Sequence, residues 1–382
     1  MRPSPFSRLP ATKPDPIFQI AAEARAAGPD AINGTVGMFL DEQGKTHMFP
    51  SVQQAVDDLQ KQQGDFSYPP LNGLPKFREA VHRLLFASEQ IASIATTGGT
   101  EAVAFNLRLL KKMDPHMKII LPEPTWANHR ALCEDAGLHT ESVPYLSDGK
   151  PTIERILEAS KHELCAVLLH GHCHNPTGLD FTPAQWQELA VELEKNGNVA
   201  LLDTAYQGFA GDPEHDAAPI QILSQAGTPT LVAWSASKNH SIYSERVGLA
   251  AAIVPDAKTQ KIAEGQFATI TRRIHSASAS FGQRIVTLVQ ENYPDEWRHD
   301  LHEARVTLRK KREELSTQLS LEFSQSLAGN GLFALLPLSI EEIQQLKNEK
   351  IFLAYDGRIN IAGIPQSRLA ELAEKIKKLK GV

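Results

Sequence analysis

The chain has 382 residues, with 39 Lys and Arg against 45 Asp and Glu, a net charge of −6; this is enough for about two or three domains, and it lacks the basic excess that a nucleic-acid-binding surface requires. Three cysteines, Cys133, Cys165 and Cys173, are too few for a disulfide framework and fit a reducing, cytoplasmic setting. No apolar run approaches the roughly 18 residues of a membrane helix, and Met1 to Pro16 lacks the apolar core of a secretory signal.

In chain order, Pro3, Pro5, Pro10, Pro14 and Pro16 predict an extended arm over residues 1–16. Ser51 to Gln63 reads as an amphipathic helix with Ser51 as N-cap. A Pro/Gly/Asn loop runs from Ser67 to Gly73, and a second helix from Leu74 to Ser88. Ile91–Thr97, a glycine turn and Glu101–Lys112 give strand, turn and helix; Lys118–Leu121 is a short strand. Leu164–His170, Val199–Leu202 and Thr230–Trp234 are short apolar segments followed at once by polar residues, as expected of strands buried on both faces. With helices between them they imply an α/β fold, a mostly parallel sheet sandwiched by helices. From about Pro294 the composition changes. A long charged helix, Trp297–Leu319, precedes short strands at Leu332–Leu336, Ile351–Tyr355 and Arg358–Ile361, and a last helix at Gln366–Lys380. The expected organisation is a large domain over 49–295 and a smaller α+β domain built from 1–48 and 296–382.

In parallel sheets ligands bind at the carboxyl ends of the strands. Three strand ends here carry His170 to Gly178, then Asp203, Tyr206 and Gly208, then Ser235, Ser237, Lys238 and Asn239, followed by Arg246. Thr97-Gly98-Gly99-Thr100 opens a helix whose free N–H groups can hold an anion. Taken singly, each has an ordinary reading. A Gly-Gly-Thr turn is usually only a turn, and a strand-end Asp is more often an N-cap. A lone lysine is nearly always surface, and Arg246 alone would be a surface ion pair. His170, His172 and His174 alternate, so on a strand they would share a face and with Asp203 offer a hydrolase metal site. Together, however, the residues meet one requirement. Pyridoxal 5′-phosphate needs a lysine for its Schiff base, a carboxylate at its ring nitrogen, donors for its phenolate oxygen and a phosphate cup.

The sequence resembles the class I aspartate and aromatic amino-acid aminotransferases, pyridoxal-phosphate enzymes of fold type I, over nearly its whole length. The matching stretches include Tyr68-Pro-Pro-Leu-Asn-Gly73, Pro124-Thr125-Trp126-Ala-Asn128-His129 and His174-Asn175-Pro176-Thr177-Gly178. They continue with Asp203-Thr-Ala-Tyr206-Gln207-Gly208, Ser235-Ala-Ser237-Lys238-Asn239, Glu245-Arg246-Val247-Gly248 and Gly357-Arg358-Ile359-Asn360. The resemblance implies a seven-stranded large-domain sheet and ping-pong transfer of an amino group from aspartate or aromatic amino acids to 2-oxoglutarate. Another reaction on the same scaffold, β-decarboxylation or elimination, is the alternative. It implies Lys238 as the cofactor lysine and proton carrier, Asp203 at the ring nitrogen, Tyr206 and Asn175 at the phenolate oxygen, and Trp126 on the ring face. Gly99, Thr100, Ser235, Ser237 and Arg246 would hold the phosphate, with Tyr68 reaching in from the partner of a homodimer. Arg358 would grip the substrate α-carboxylate with Asn175 and the Gly37 backbone; Arg272, also in trans, would read the distal carboxylate. No metal is implied. The chain departs from the family at Gly98, where serine is common, at Ser244 in place of asparagine, and after Arg272, where Asn-Pro-Pro is missing and Ala277 stands at the asparagine.

Overall fold

The computed structural model describes residues 4–12, 14–62, 67–87 and 90–381. Its centre is a seven-stranded sheet. In chain order the strands are β1 (Gln90–Thr97), β2 (Lys118–Glu123), β3 (His139–Pro144), β4 (Cys165–His170), β5 (Val199–Thr204), β6 (Thr230–Ser235) and β7 (Val247–Val254). Across the sheet the order is β1-β7-β6-β5-β4-β2-β3, with β7 antiparallel to both neighbours and the other six running one way. Every residue of β4, β5 and β6 is buried, because helices cover both faces. One apolar cluster, including Phe77, Trp186, Trp234 and Trp297, lies on one side; a second, including Phe105, Leu110 and Phe267, lies on the other.

Register lines up the polar strand ends. His170 lies opposite Asp203 and Asp203 opposite Ala233, while Ser235 lies opposite Gly248, which faces Thr96 on its other side. The turns that follow therefore open on one edge of the sheet.

A separate core joins Ile32 to Leu315, Phe323, Leu336, Ile359 and Leu372 around two small ladders. In one, Phe333–Leu335 pairs antiparallel with Arg358–Asn360; in the other, Ile32–Asn33 pairs parallel with Ile351–Phe352. The helix Pro294–Gln318 serves both cores. Trp297, Leu301, Ala304 and Leu308 pack into the large one and Leu315 into the small one. We propose that the two cores mark two domains, joined through this helix.

Several elements differ from expectation. The arm is not wholly extended: Pro5–Arg8 forms one 3-10 turn, and Pro16 begins a helix running to Ala26. Pro16 costs nothing at a first helical position, and Asp15 accepts the Ile17 and Phe18 amides as N-cap. Residues 1–3 and 13 of the arm lie outside the described residues. Ser51 is not an N-cap. The helix Pro50–Lys61 starts one residue earlier with Phe49 at the cap, and the Ser51 hydroxyl and amide donate to Asp300. Gln63 and Ser88, where two helices were expected to end, lie outside the described residues; the second helix spans Pro75–Leu85. In the seven-stranded sheet, the two strands with no sequence expectation are β3 and β7, the polar edge strand HTESVP and the alanine-containing VGLAAAIV, neither carrying a strong strand signal.

Beyond β5, the Asp216 carboxylate is wholly buried and accepts three backbone amides, from Gly208 (2.8 Å), Ala210 (3.1 Å) and Gly211 (2.8 Å). It fixes the turn that follows Tyr206. Asp216→Ala strands one buried and two half-buried donors and is expected to cost about 3 kcal/mol, read as a lowered thermal midpoint with the native circular-dichroism spectrum retained. An unchanged midpoint would show that the turn holds without it.

Candidate active site

Asp203, at the end of β5, is 5% exposed. Its Oδ2 lies 3.1 Å from His129 Nε2, and its Oδ1 accepts the Ala205 amide at 3.1 Å. His129, fully buried, is held at its other nitrogen by the Thr125 hydroxyl, 2.9 Å away. Burial alone would raise the Asp203 pKa. The His129 hydrogen bond and neighbouring positive charge outweigh it, so the pKa falls below the usual carboxylate range. The His170 pKa falls as well, here by burial, to about 3, so the ring is neutral at pH 7. Asp203 is thus a buried anion, persistent at neutral pH.

Lys238 lies in the four-residue helix Ala236–Asn239 after β6. Its Nζ sits 5.2 Å from the centre of the Tyr206 ring. Desolvation lowers its pKa to about 8, with Arg246 adding to the effect and Asp203 opposing it. Tyr206 is buried and its pKa is raised, by burial first and then by the Asp203 charge, so the phenol keeps its proton. The Tyr206 oxygen accepts from Asn175 Nδ2 at 3.4 Å, and Asn175 Oδ1 accepts from Arg358 at 3.4 Å. Arg358 is 8% exposed; it also donates to Thr35 O at 3.0 Å and stacks 4.7 Å above the Phe333 ring. Among the described residues no carboxylate pairs with it, a costly state for a buried guanidinium. Trp126 stands edge-on to His129, ring centres 5.3 Å apart.

Facing Lys238 is a cradle of small groups. The helix Gly98–Met113 begins directly at the end of β1. Ser235 and Ser237 hydroxyls are 2.9 Å apart, and Arg246 Nη1 reaches Ser237 Oγ at 3.3 Å. Gly98 has φ +77, and a Cβ there would fall 2.4 Å from the Arg246 guanidinium; at Gly99 it would fall 3.1 Å from Ser235 Cβ. The Arg246 side-chain end is flexible enough to yield to a Cβ, so it is the left-handed backbone at position 98, φ +77, that favours glycine there.

The structure thus brings together Lys238, Asp203, Tyr206, Asn175 and Arg358, and beside them Gly99, Ser235, Ser237 and Arg246. Thr100 is in the first turn of the adjoining helix, and the Gly37 backbone abuts Phe333, whose Cζ is 2.6 Å from where a Gly37 Cβ would be. Tyr68, 94% exposed, and Arg272, exposed and donating to Ser276 Oγ at 3.1 Å, stand outside this cluster within the single chain. The alternating histidines do not line one strand face, because the strand stops at His170. The His174 ring packs edge-on against His170, centres 4.9 Å apart, and stacks on Tyr145 at 3.7 Å, while His172 lies elsewhere, 5.8 Å from His215. His129, His170 and Asp203 do bring ligand-type atoms within 4.8 Å, but His129 and Asp203 are spent on each other. Sequence reasoning gave no role to Thr125, His129 or Phe333. The available signal was the four-residue spacing of Thr125 and His129, which puts both on one side of a turn.

Comparison with known families matches residues 29–376 to the profile described as aminotransferase class I and II. The chain belongs to that family. It is similar to an aromatic-amino-acid aminotransferase of Paracoccus denitrificans, 33% identical, with 95% of this chain and 96% of that one aligned. It is likewise 32% identical to an aspartate aminotransferase of Haemophilus influenzae, over 98% and 100%. Among solved structures, an aromatic amino acid aminotransferase with 3-indolebutyric acid superposes with a TM-score of 0.93 at 32% identity, covering 99% and 100% of the two chains. An aromatic-amino-acid aminotransferase from Burkholderia pseudomallei, covalently bound to pyridoxal phosphate, gives 0.94 at 28% identity over 98% and 99%. This aminotransferase shares the family's reaction class and its cofactor, pyridoxal 5′-phosphate. The residues present fit that group: a side-chain-free cradle under Arg246, a lysine of depressed pKa and a buried anion on the same edge.

In the cofactor-free protein, Lys238 loses its proton near pH 8 and gains reactivity as pH rises through that value. Competitive acetylation read by peptide mass spectrometry should show Lys238 labelling with a midpoint near 8, whereas surface lysines follow their ordinary value of about 10.4. A Lys238 midpoint with the surface set would contradict the desolvation argument.

Proposed function

We propose that this aminotransferase is a cytoplasmic homodimer transferring the amino group of aspartate and aromatic amino acids to 2-oxoglutarate. The observation that carries the reading is Arg358, a buried guanidinium without a carboxylate partner among the described residues, tied through Asn175 to Tyr206, over which Lys238 lies. Such a group is complementary to an incoming carboxylate, which it can grip with two parallel hydrogen bonds. The relatives include both an aromatic-amino-acid and an aspartate aminotransferase, and three free, buried cysteines fit a reducing compartment.

When bound, pyridoxal phosphate supplies a covalent link to nitrogen and an electron sink that makes the substrate Cα proton removable. Lys238 is the group that anchors it and then carries the proton, and a pKa near 8 suits an amine that must both take and give it near neutral pH. Asp203, kept ionised by His129, holds the ring nitrogen in its protonated form. Tyr206 and Asn175 donate to the phenolate oxygen, and Trp126 covers the ring. The N-terminus of the Gly98–Met113 helix, with Gly99, Thr100, Ser235, Ser237 and Arg246, binds the phosphate. Arg358, Asn175 and the Gly37 backbone orient the α-carboxylate. Tyr68 and Arg272 act on the partner's site; their exposure in the single chain supports this.

Removing a buried, charge-paired arginine costs roughly 2–5 kcal/mol, or about thirty- to several-thousandfold in rate. Arg358→Ala should lower kcat/KM by that amount for every amino acid. Arg272→Ala should do so for aspartate alone. The test is the kcat/KM ratio of aspartate to phenylalanine in wild type and Arg272→Ala. A ratio that does not move removes Arg272, and with it the physical basis for aspartate.

A further inference from the structure

Arg312, on the long helix Pro294–Gln318, is 4% exposed and lies outside the reacting cluster. Burial lowers its pKa to about 10, so it stays charged at neutral pH. Among the described residues it has no carboxylate partner. Its donors go instead to four backbone carbonyls of a single segment: Leu327 (3.2 Å), Asn330 (2.9 Å), Gly331 (3.1 Å) and Phe333. Four carbonyl dipoles converging on one fork compensate the buried charge, and in return the segment 327–333 is fixed as a unit.

That segment ends at the groups around Arg358. The Phe333 ring lies under the Arg358 guanidinium, sits 5.9 Å from the Tyr206 ring and presses against Gly37. On its other side, the Asn330 amide donates to Gly178 O at 2.7 Å, and the Gly178 amide donates to His174 O at 2.6 Å. This closes the turn that carries Asn175. Gly178 has φ +71, and a Cβ there would lie 2.8 Å from Arg312 Nη2 and 2.5 Å from Phe333 O. The guanidinium thus sits where the Phe333 segment and the Asn175 turn meet, behind two of the groups that touch Arg358.

We infer that Arg312 is a positioning residue for the substrate-carboxylate site, acting through Phe333 and the Asn175 turn to hold Arg358 in its binding geometry. This rests on the reading of Arg358 as the carboxylate-binding group. An arginine suits the position because its planar fork spreads donors over two fixed nitrogens and so reaches all four carbonyls, whereas a lysine ammonium gathers its three donors on one nitrogen at the end of a flexible stem.

The test uses the cofactor-loaded protein and succinate, a dicarboxylate with no amino group to react, with binding read by calorimetry. Arg312→Gln should weaken succinate about tenfold, within the range for coupled neighbours, and raise KM for aspartate more than it lowers kcat. The cofactor absorbance should be unchanged. Arg312→Lys should recover part of the loss, and serves alone if the glutamine variant fails to fold. Phe333→Leu removes the ring but leaves the carbonyls, so combining it with Arg312→Lys should give less than the sum of the two effects. Wild-type succinate affinity in Arg312→Lys or Arg312→Gln, or strict additivity with Phe333→Leu, would overturn the inference. Arg358→Lys separates the two readings. If it binds succinate like wild type, the reading of Arg358 has failed. If it weakens binding while the Arg312 variants do not, only the Arg312 role has failed.

Discussion

The hydrogen bond between His129 and Asp203 is the interaction on which the site depends. A carboxylate this deeply buried tends to take up a proton, because desolvation disfavours the anion. Here the His129 ring, itself fixed by Thr125, tips the balance and Asp203 remains charged. A permanent negative charge at the end of β5 then sets the character of its neighbours. It opposes the desolvation that brings Lys238 to about 8, and it adds to the burial that keeps the Tyr206 phenol protonated.

Sheet register and small-residue turns translate that charge into a site. The rung His170–Asp203–Ala233 and the rung Ser235–Gly248–Thr96 are consequences of backbone pairing, not of side-chain choice. They bring chain positions about 140 residues apart, Thr96 and Ser235, to one edge. The arginines supply the complementary half. Arg246 takes the space that a Cβ at Gly98 would claim, and Arg358 rests on Phe333 with no acid among the described residues to neutralise it. Arg358 is charged, buried and without a carboxylate, which is the state of a group built to receive an anion; Arg246 is exposed and is held at the cradle by Ser237.

Much of this was legible before the fold was seen. The strands β4, β5 and β6 are short apolar runs with abrupt polar ends, so both their existence and the reactive edge could be read. The edge strand β3 opens with four consecutive polar residues, and β7 carries three alanines in a row at its centre, a residue that favours helix over strand; only tertiary pairing makes either a strand. Ser51 has an N-cap side chain, but its partner Asp300 is 249 residues away, a contact no local rule can find. Arg312 was invisible for a related reason, and His129 was marked only by its spacing from Thr125. Their chemistry lies in what they touch, a distant carboxylate and four backbone carbonyls.

Asp203 must be ionised and must keep a bound ring nitrogen protonated at every pH where the protein is folded and active. Nitrogen-15 NMR of the protein loaded with ring-labelled pyridoxal phosphate reads that protonation directly. The expected result is a protonated shift that does not titrate across the neutral range in wild type and moves to the unprotonated value in Asp203→Asn. A wild-type nitrogen that titrates near neutrality, or one unaffected by the substitution, would contradict the claim that this buried anion governs the site.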